Sequence, residues 1–362
     1  MFQNTYQGKR VLVTGHTGFK GSWLTRWLLD MGAQVTGLAL PPDTTPSHFT
    51  LLDLEHQIEH RQVDVRDADA VQRLVADARP EIVFHLAAQA LVRPSYQDPK
   101  GTWDVNVGGT INLLESLRQV GGVRACVVVT SDKCYENREQ IWGYRETDRM
   151  GGHDPYSSSK GAVELSVASW RRSFFQDREG LRLASARAGN VIGGGDWAPD
   201  RIVVDFVKGI AEGRPLVLRN PEATRPWQHV LEPLSGYLDL AARLYQGEGW
   251  RLAEGWNFGP NEENVVTVEA LARALVSAWG EGEVQINRDP KHPHEAGLLR
   301  LDCSKVRKGF GWHGVWDFPE TVRQTVQWYR GQHGGEDAKT LTGKQIDAYG
   351  AAATHAKLPW TI

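Results

Sequence analysis

From residue 10 to residue 187, short apolar, β-branched runs alternate with stretches of helical periodicity, and no other feature narrows the fold as much. RVLVTG (10–15), AQVTGLAL (33–40), IEHRQVDV (58–65), EIVFHLAA (81–88), ACVVVT (125–130) and RLASAR (182–187) read as strands. GSWLTRWLLDMG (21–32), DADAVQRLVADARP (67–80), WDVNVGGTINLLESLRQVG (103–121) and a segment around 156–174 read as helices between them. In the first of these, Trp23, Leu24, Trp27, Leu28 and Met31 make one apolar stripe that Gly32 closes. Strands buried on both faces and joined by helices make parallel sheets covered on both sides. The pattern predicts an α/β fold, a doubly wound parallel sheet of Rossmann type.

After residue 188 the rhythm breaks. Glycine-rich AGNVIGGGDWAPDR (188–201) reads as loop, followed by a helix near 201–212, a short strand PLVL (215–218) and a helix near 230–245. VVTVEALARALVSAWG (265–280) has Thr267 as its expected cap, and FPETVRQTVQWYR (318–330) has Pro319 at a helix start. The expected division is a nucleotide-binding domain over 1–188, its sheet completed by later segments, and a smaller mixed α/β substrate lobe over 189–330, interleaved with it. A tail over 331–362 is expected to hold one helix around 341–350, with loose ends.

Bulk properties exclude several classes. The formal charge of −3 gives no basic surplus for nucleic acid or an anionic membrane. No apolar run reaches the length of a membrane span, and the start, MFQNTYQGKR, has no signal-peptide core. The three cysteines, Cys126, Cys134 and Cys303, lack metal-ligand or redox spacing and fit a reducing, cytoplasmic setting. The 12 histidines show no zinc pattern, so no metal is expected. The 14 tryptophans read mainly as packing residues.

TGHTGFKG (14–21) spaces Gly15, Gly18 and Gly21 by three, between a strand and a helix. One glycine permits the turn, one lets backbone approach a pyrophosphate, and one allows close helix–strand contact. A dinucleotide is therefore expected here, with Thr17, Phe19 and Lys20 in the same cradle; His16 reads as a loop-filling side chain. The second strand ends Leu38-Ala39-Leu40-Pro41, with neither the usual ribose acid nor an arginine for a 2′-phosphate. The choice of NAD over NADP thus lacks its ordinary marker. Asp64, at the end of the third strand, is a candidate adenine acceptor or a loop cap.

Tyr156 and Lys160 stand four apart, on one helical face. A nearby ammonium and an oxidised nicotinamide would both favour phenolate and make the tyrosine a usable base. With the glycine loop, HLAAQ (85–89), Asn106 in NVGGT and NFGP (257–260), the chain resembles the extended short-chain dehydrogenase/reductase family over roughly 10–330. The resemblance implies NAD as cofactor, with Asp64 and Val65 at its adenine end and Leu86, Ala87 and Ala88 along it. It implies that Tyr156 takes a sugar hydroxyl's proton, that Lys160 holds the cofactor ribose, and that Ser131 lies beside that hydroxyl.

A buried strand running into Ser131-Asp132-Lys133 needs a further reason, because a simple alcohol dehydrogenase requires neither the acid nor the second amine. TSDKCYEN (130–137), WGYRE (142–146), GNVIGGGDWAPDR (189–201), RPWQHVLEPL (225–234) and HPHEAGLLRLD (292–302) resemble the nucleotide-sugar 4,6-dehydratases, in particular the branch acting on CDP-glucose. The resemblance implies Asp132 as an acid with a raised pKa and Lys133 as a base with a lowered one, driving water out across C5–C6 of a 4-keto sugar. It also implies substrate contacts from Gln89, Asn190, Arg201, Arg219, Arg225 and His294, and a homodimer or homotetramer built on the helices near 103–120 and 156–174. Two alternatives stay open: a nucleotide-sugar 4-epimerase of the same fold, and a non-catalytic dinucleotide-binding regulator.

Overall fold

The computed structural model describes residues 1–177, 180–247, 249–260, 265–287 and 298–362. Seven strands form its main sheet: β1 (Arg10–Thr14), β2 (Gln34–Ala39), β3 (Glu59–Gln62), β4 (Ile82–His85), β5 (Ala125–Val129), β6 (Arg182–Ala188) and β7 (Gly255–Phe258). Their spatial order is β7-β6-β5-β4-β1-β2-β3, and every pairing is parallel. The order reverses between β1 and β4, which opens the ligand crevice of a doubly wound sheet at their carboxyl ends.

Two apolar layers hold the sheet. Successive strand side chains point to opposite faces, so Val11 and Val13 enter one core while Leu12 enters the other. The smaller core is closed by α2 (Ala68–Ala78), α3 (Gly109–Val120) and α4 (Pro155–Phe174), through Val71, Leu114 and Val163 among others. The larger is closed by α1 (Phe19–Asp30), α6 (Leu231–Tyr245), α8 (Phe318–His333) and α9 (Ala338–His355). Beyond β6, α5 (Ile202–Glu212), α7 (Val268–Trp279) and three two-stranded sheets make the second lobe. Thr267 caps α7 by accepting from the Ala270 N–H.

The segment NFGP begins inside β7, which extends the sheet beside β6. Three expectations need correction. The third strand is only Glu59–Gln62: Val63 makes the last bond to the neighbouring strand, to the Ala39 carbonyl, and the chain then turns towards α2. The helix expected over 103–121 is present but not α throughout: Asp104–Gly108 is a π-helical turn that runs directly into α3. The tail is core rather than loose end. α9 runs to His355, Tyr349 and Trp360 are buried, and Phe2 stacks on Trp360 with centroids 5.0 Å apart. Apolar residues spaced along the tail supply this burial, and its small residues hid them.

Trp360→Ala should leave a cavity between the two chain termini and cost about 3–5 kcal/mol of stability. Denaturant unfolding checks this, and a loss under about 1 kcal/mol would show that the tail does not belong to the cooperative core.

Candidate active site

The glycine loop is shaped by contacts that exclude any side chain. Gly15 has φ +74°, and a Cβ there would lie 2.7 Å from the Ala87 nitrogen. A Cβ on Gly21 would lie 2.1 Å from the Gly15 carbonyl oxygen. α1 begins at Phe19, and its cap, Gly18, has no side chain to satisfy the first N–H groups. These donors and the positive helix end suit an anion, so the cradle fits a dinucleotide pyrophosphate. Thr17 Oγ1 donates to the Leu40 carbonyl at 2.9 Å and ties the loop to the end of β2. Thr14 Oγ1 accepts from the Ala87 N–H at 3.1 Å and pairs with His85 Nδ1 at 2.7 Å, which fixes Leu86 to Ala88 above β1.

After β3, Asp64 is bound by the Arg66 guanidinium at 2.6 Å, which holds its carboxyl below the usual range. Val65 packs on α3 at Gly109, where a Cβ would come 2.6 Å from Val65 Cγ2. His16 is buried, with Nε2 2.7 Å from His60 Nδ1 and its ring filling the space beside Gly37. Burial and His60 push its imidazole down to about 4, so it stays neutral and packs the loop.

The π-helical turn is pinned by partners distant in the chain. Asn106 Nδ2 donates to Ser159 Oγ of α4 at 2.8 Å and to the Gln89 carbonyl at 3.1 Å, while Oδ1 accepts from the Gln89 N–H at 2.8 Å. One amide thus clamps the loop after β4 to the helix that carries Tyr156, and such turns gather at functional sites. Gln89's own side chain braces that loop through Leu91 and Thr102.

β5 delivers its polar run into the crevice. Ser131 Oγ donates to Asp132 Oδ1 at 2.9 Å and accepts from the Lys133 N–H at 3.2 Å, closing a tight turn. Asp132 is 3% exposed, and its Oδ2 has no partner among the described residues. Burial raises its pKa, against the pull of Lys133, Ser131, Arg225 and Lys20. Lys133 is half-buried beside it.

Asp154 caps α4 by accepting from the Ser157 N–H, Pro155 opens the first turn, and Tyr156 follows, its N–H on Ser95 Oγ at 3.2 Å. Lys160 Nζ lies 5.9 Å from the Tyr156 ring centroid. The sequence predicts a phenol drawn towards phenolate, but in the folded chain burial prevails and pushes Tyr156 up to about 12, with Ser131 pulling the other way. Burial likewise pushes Lys160 down to about 8, with Glu164 opposing.

Cations gather around Asp132. Lys20, expected at the cofactor, turns inward, its Nζ 6.0 Å from the Tyr237 ring centroid; burial and Arg201 push it down to about 8. Arg225 acts on Asp132, and Arg201 acts on Lys20 and Tyr156. Arg219 stands further out, 3.7 Å from Asp200, which Arg93 also binds at 2.8 Å. Asn190 follows Gly189 at the end of β6, where a Cβ would lie 2.9 Å from Asp132 Oδ2. His294 lies outside the described residues. Sequence reasoning missed Arg93, Tyr237 and the Glu164–Arg187 pair; only Glu164, one turn beyond Lys160 among small residues, left a readable sign. Among the described residues no cluster could hold a metal ion, and no helix is long and apolar enough to cross a membrane.

A tyrosine and lysine one turn apart beside a pyrophosphate cradle place the cleft in the short-chain dehydrogenase/reductase class. A sequence model described as GDP-mannose 4,6 dehydratase matches residues 12–325, and the chain belongs to that family. It is 49% identical over 356 residues to CDP-glucose 4,6-dehydratase of Salmonella typhimurium, covering 97% of this chain and 99% of that one. The fold is similar to UDP-glucose 4-epimerase of Thermus thermophilus in complex with NAD, with TM-score 0.76, 28% identity, and 89% and 99% of the two chains covered. It is also similar to a dTDP-glucose 4,6-dehydratase of Streptomyces venezuelae, solved with NAD and TYD bound, with TM-score 0.76, 24% identity, and 91% and 99% covered.

Gly21→Ala should force α1 away from β1 and weaken NAD binding at least tenfold, by titration calorimetry. Wild-type affinity in that variant would contradict the cradle.

Proposed function

We propose that the chain is an NAD-dependent CDP-glucose 4,6-dehydratase, converting CDP-D-glucose to CDP-4-dehydro-6-deoxy-D-glucose with net loss of one water. The observation that carries this reading is the buried Asp132, its pKa raised and one oxygen unpartnered, in the turn that also holds Ser131 and Lys133. Oxidation alone needs no such acid. The 49% identity to a curated CDP-glucose 4,6-dehydratase supports the same reading.

Bound NAD supplies a hydride acceptor for C4 of the sugar and, after elimination, a hydride donor for C6. The chain's residues do the rest. Tyr156 takes the proton of the C4 hydroxyl while Ser131 hydrogen-bonds the same oxygen. Lys160, cationic, stabilises the phenolate and holds the cofactor ribose. The C4 ketone acidifies C5, so Lys133 takes the C5 proton as Asp132 gives its own to the departing C6 hydroxyl. Lys133 then returns a proton to C5, and the 4-keto group is retained. The proton gained by Tyr156 balances the one lost from Asp132, so exchange with solvent resets both. Arg225, Arg219 and Arg201 hold the diphosphate, for which guanidinium forks are suited, with Asn190 and His294 at the sugar nucleotide.

Exposed Leu165 and Phe174 on α4 and Trp103 ahead of α3 support a homodimer or homotetramer through these helices. Free, buried Cys126, Cys134 and Cys303 support a cytoplasmic setting.

With CDP-, dTDP-, UDP- and GDP-glucose offered in parallel, CDP-glucose should lose one water fastest by mass spectrometry. A product of unchanged mass, a galactose isomer, would instead make the chain an epimerase. Tyr156→Phe should lower turnover roughly 10²–10⁴-fold. Lys133→Ala should spare C4 oxidation and stop solvent deuterium entering C5; undiminished entry would remove Lys133 as the base.

A further inference from the structure

Glu164 is a buried, multiply bonded acid outside the catalytic group. Its side chain is 3% exposed. Oε1 accepts from Thr130 Oγ1 at 2.5 Å, and Oε2 accepts from Ser185 Oγ at 2.6 Å and Arg187 Nη2 at 2.7 Å. Burial opposes its charge, but Arg187, Ser185 and Thr130 outweigh burial and hold the carboxyl below its ordinary range. Arg187 is pinned in turn: Nη1 donates to Tyr135 Oη at 2.7 Å, and Tyr135 Oη donates to Asn257 Oδ1 at 2.7 Å. β7 leaves room for the guanidinium, since a Cβ on Gly255 would lie 2.3 Å from Arg187 Nη2.

One of these contacts and one feature of the helix bear on the reaction. Thr130 immediately precedes Ser131, so the carboxylate fixes the end of β5 against α4. Glu164 is also one turn beyond Lys160 on the same face of α4. We propose that Glu164 is a positioning residue for the reaction: pinned by Thr130, Ser185 and Arg187, it keeps Lys160 cationic beside Tyr156 and holds Ser131 in place. The proposal rests on the roles given above to Tyr156 and Lys160.

The groups facing Lys160 set the sign. Lys20 comes from α1, His85 from β4, Cys134 from the turn after β5, and Tyr156 and Glu164 from α4 itself. Burial drives Lys160 down to about 8, and Glu164 leads the opposing influences. Neutralising Glu164 removes that support, so Lys160 loses its proton at lower pH and activity falls earlier as pH rises.

The test compares the full-length wild type with Glu164→Gln, Glu164→Asp and the double variant Glu164→Gln/Arg187→Met. The double variant leaves no buried unpaired charge, so it carries the test should Glu164→Gln not fold. The Lys160 amine is titrated without substrate, by pH-dependent labelling with limiting acetic anhydride read by mass spectrometry. The kcat/KM profile is recorded with whichever nucleotide sugar the wild type dehydrates. Both neutralised variants should titrate Lys160, and place the alkaline limb, at lower pH: Glu164→Gln by about one unit, the double variant by less because loss of the Arg187 cation offsets part of the effect, with Glu164→Asp close to wild type. An unshifted Lys160 in either folded neutralised variant overturns the proposal. A wild type inactive on every nucleotide sugar would count against the proposed function and leave the Lys160 titration to decide this one.

Discussion

A strand buried on both faces cannot end in a hydroxyl, an acid and an amine unless each finds a partner or a use. β5 ends this way, and much of the cleft follows from how the chain meets that demand. Ser131 takes two bonds at once, to the Asp132 carboxyl and to the Lys133 N–H, and so makes the turn that aims both side chains. Thr130 is tied sideways to Glu164. That leaves Asp132 with one oxygen unpartnered in a buried setting, where a carboxylate is costly and a carboxylic acid is favoured. A residue in that state is equipped to give a proton.

The same demand for partners assembles the surroundings. Asn106 uses its whole amide to join the loop after β4 to α4, and the helix before α3 departs from α-geometry at that point. Gly15 and Gly21 bring β1, α1 and the Ala87 loop to contact distance. Lys133, Lys20 and Arg225 then act on one acid, with Lys160 and Arg201 beside Lys20, and this excess of positive charge suits a cleft that receives a dinucleotide and a nucleotide sugar. Burial lowers both lysines, so each holds its proton less firmly than an exposed amine would.

Much of the molecule was legible in its sequence. The central strands announced themselves because strands buried on both faces read as continuous apolar runs, and the glycine loop because backbone approach tolerates no side chain. β7 was hidden: a four-residue edge strand with Asn257 inside it has too little pattern to separate from loop. The π-helical turn was hidden because it depends on Asn106 reaching Ser159, 53 residues away. Tyr156 and Lys160 were found by spacing, but their protonation was not, since burial depends on everything packed around them. Tyr237 reaches the cleft from a distant helix and left no local sign.

The central claim is that Asp132 drives a water-losing step separate from the oxidation carried out at Tyr156. The most direct measurement follows nicotinamide absorbance after mixing Asp132→Asn, loaded with NAD, with CDP-glucose. The account predicts that reduced cofactor appears and accumulates while water loss stalls, because oxidation is intact and the leaving hydroxyl has no proton donor. Dehydration at the wild-type rate, with no reduced cofactor accumulating, would contradict it.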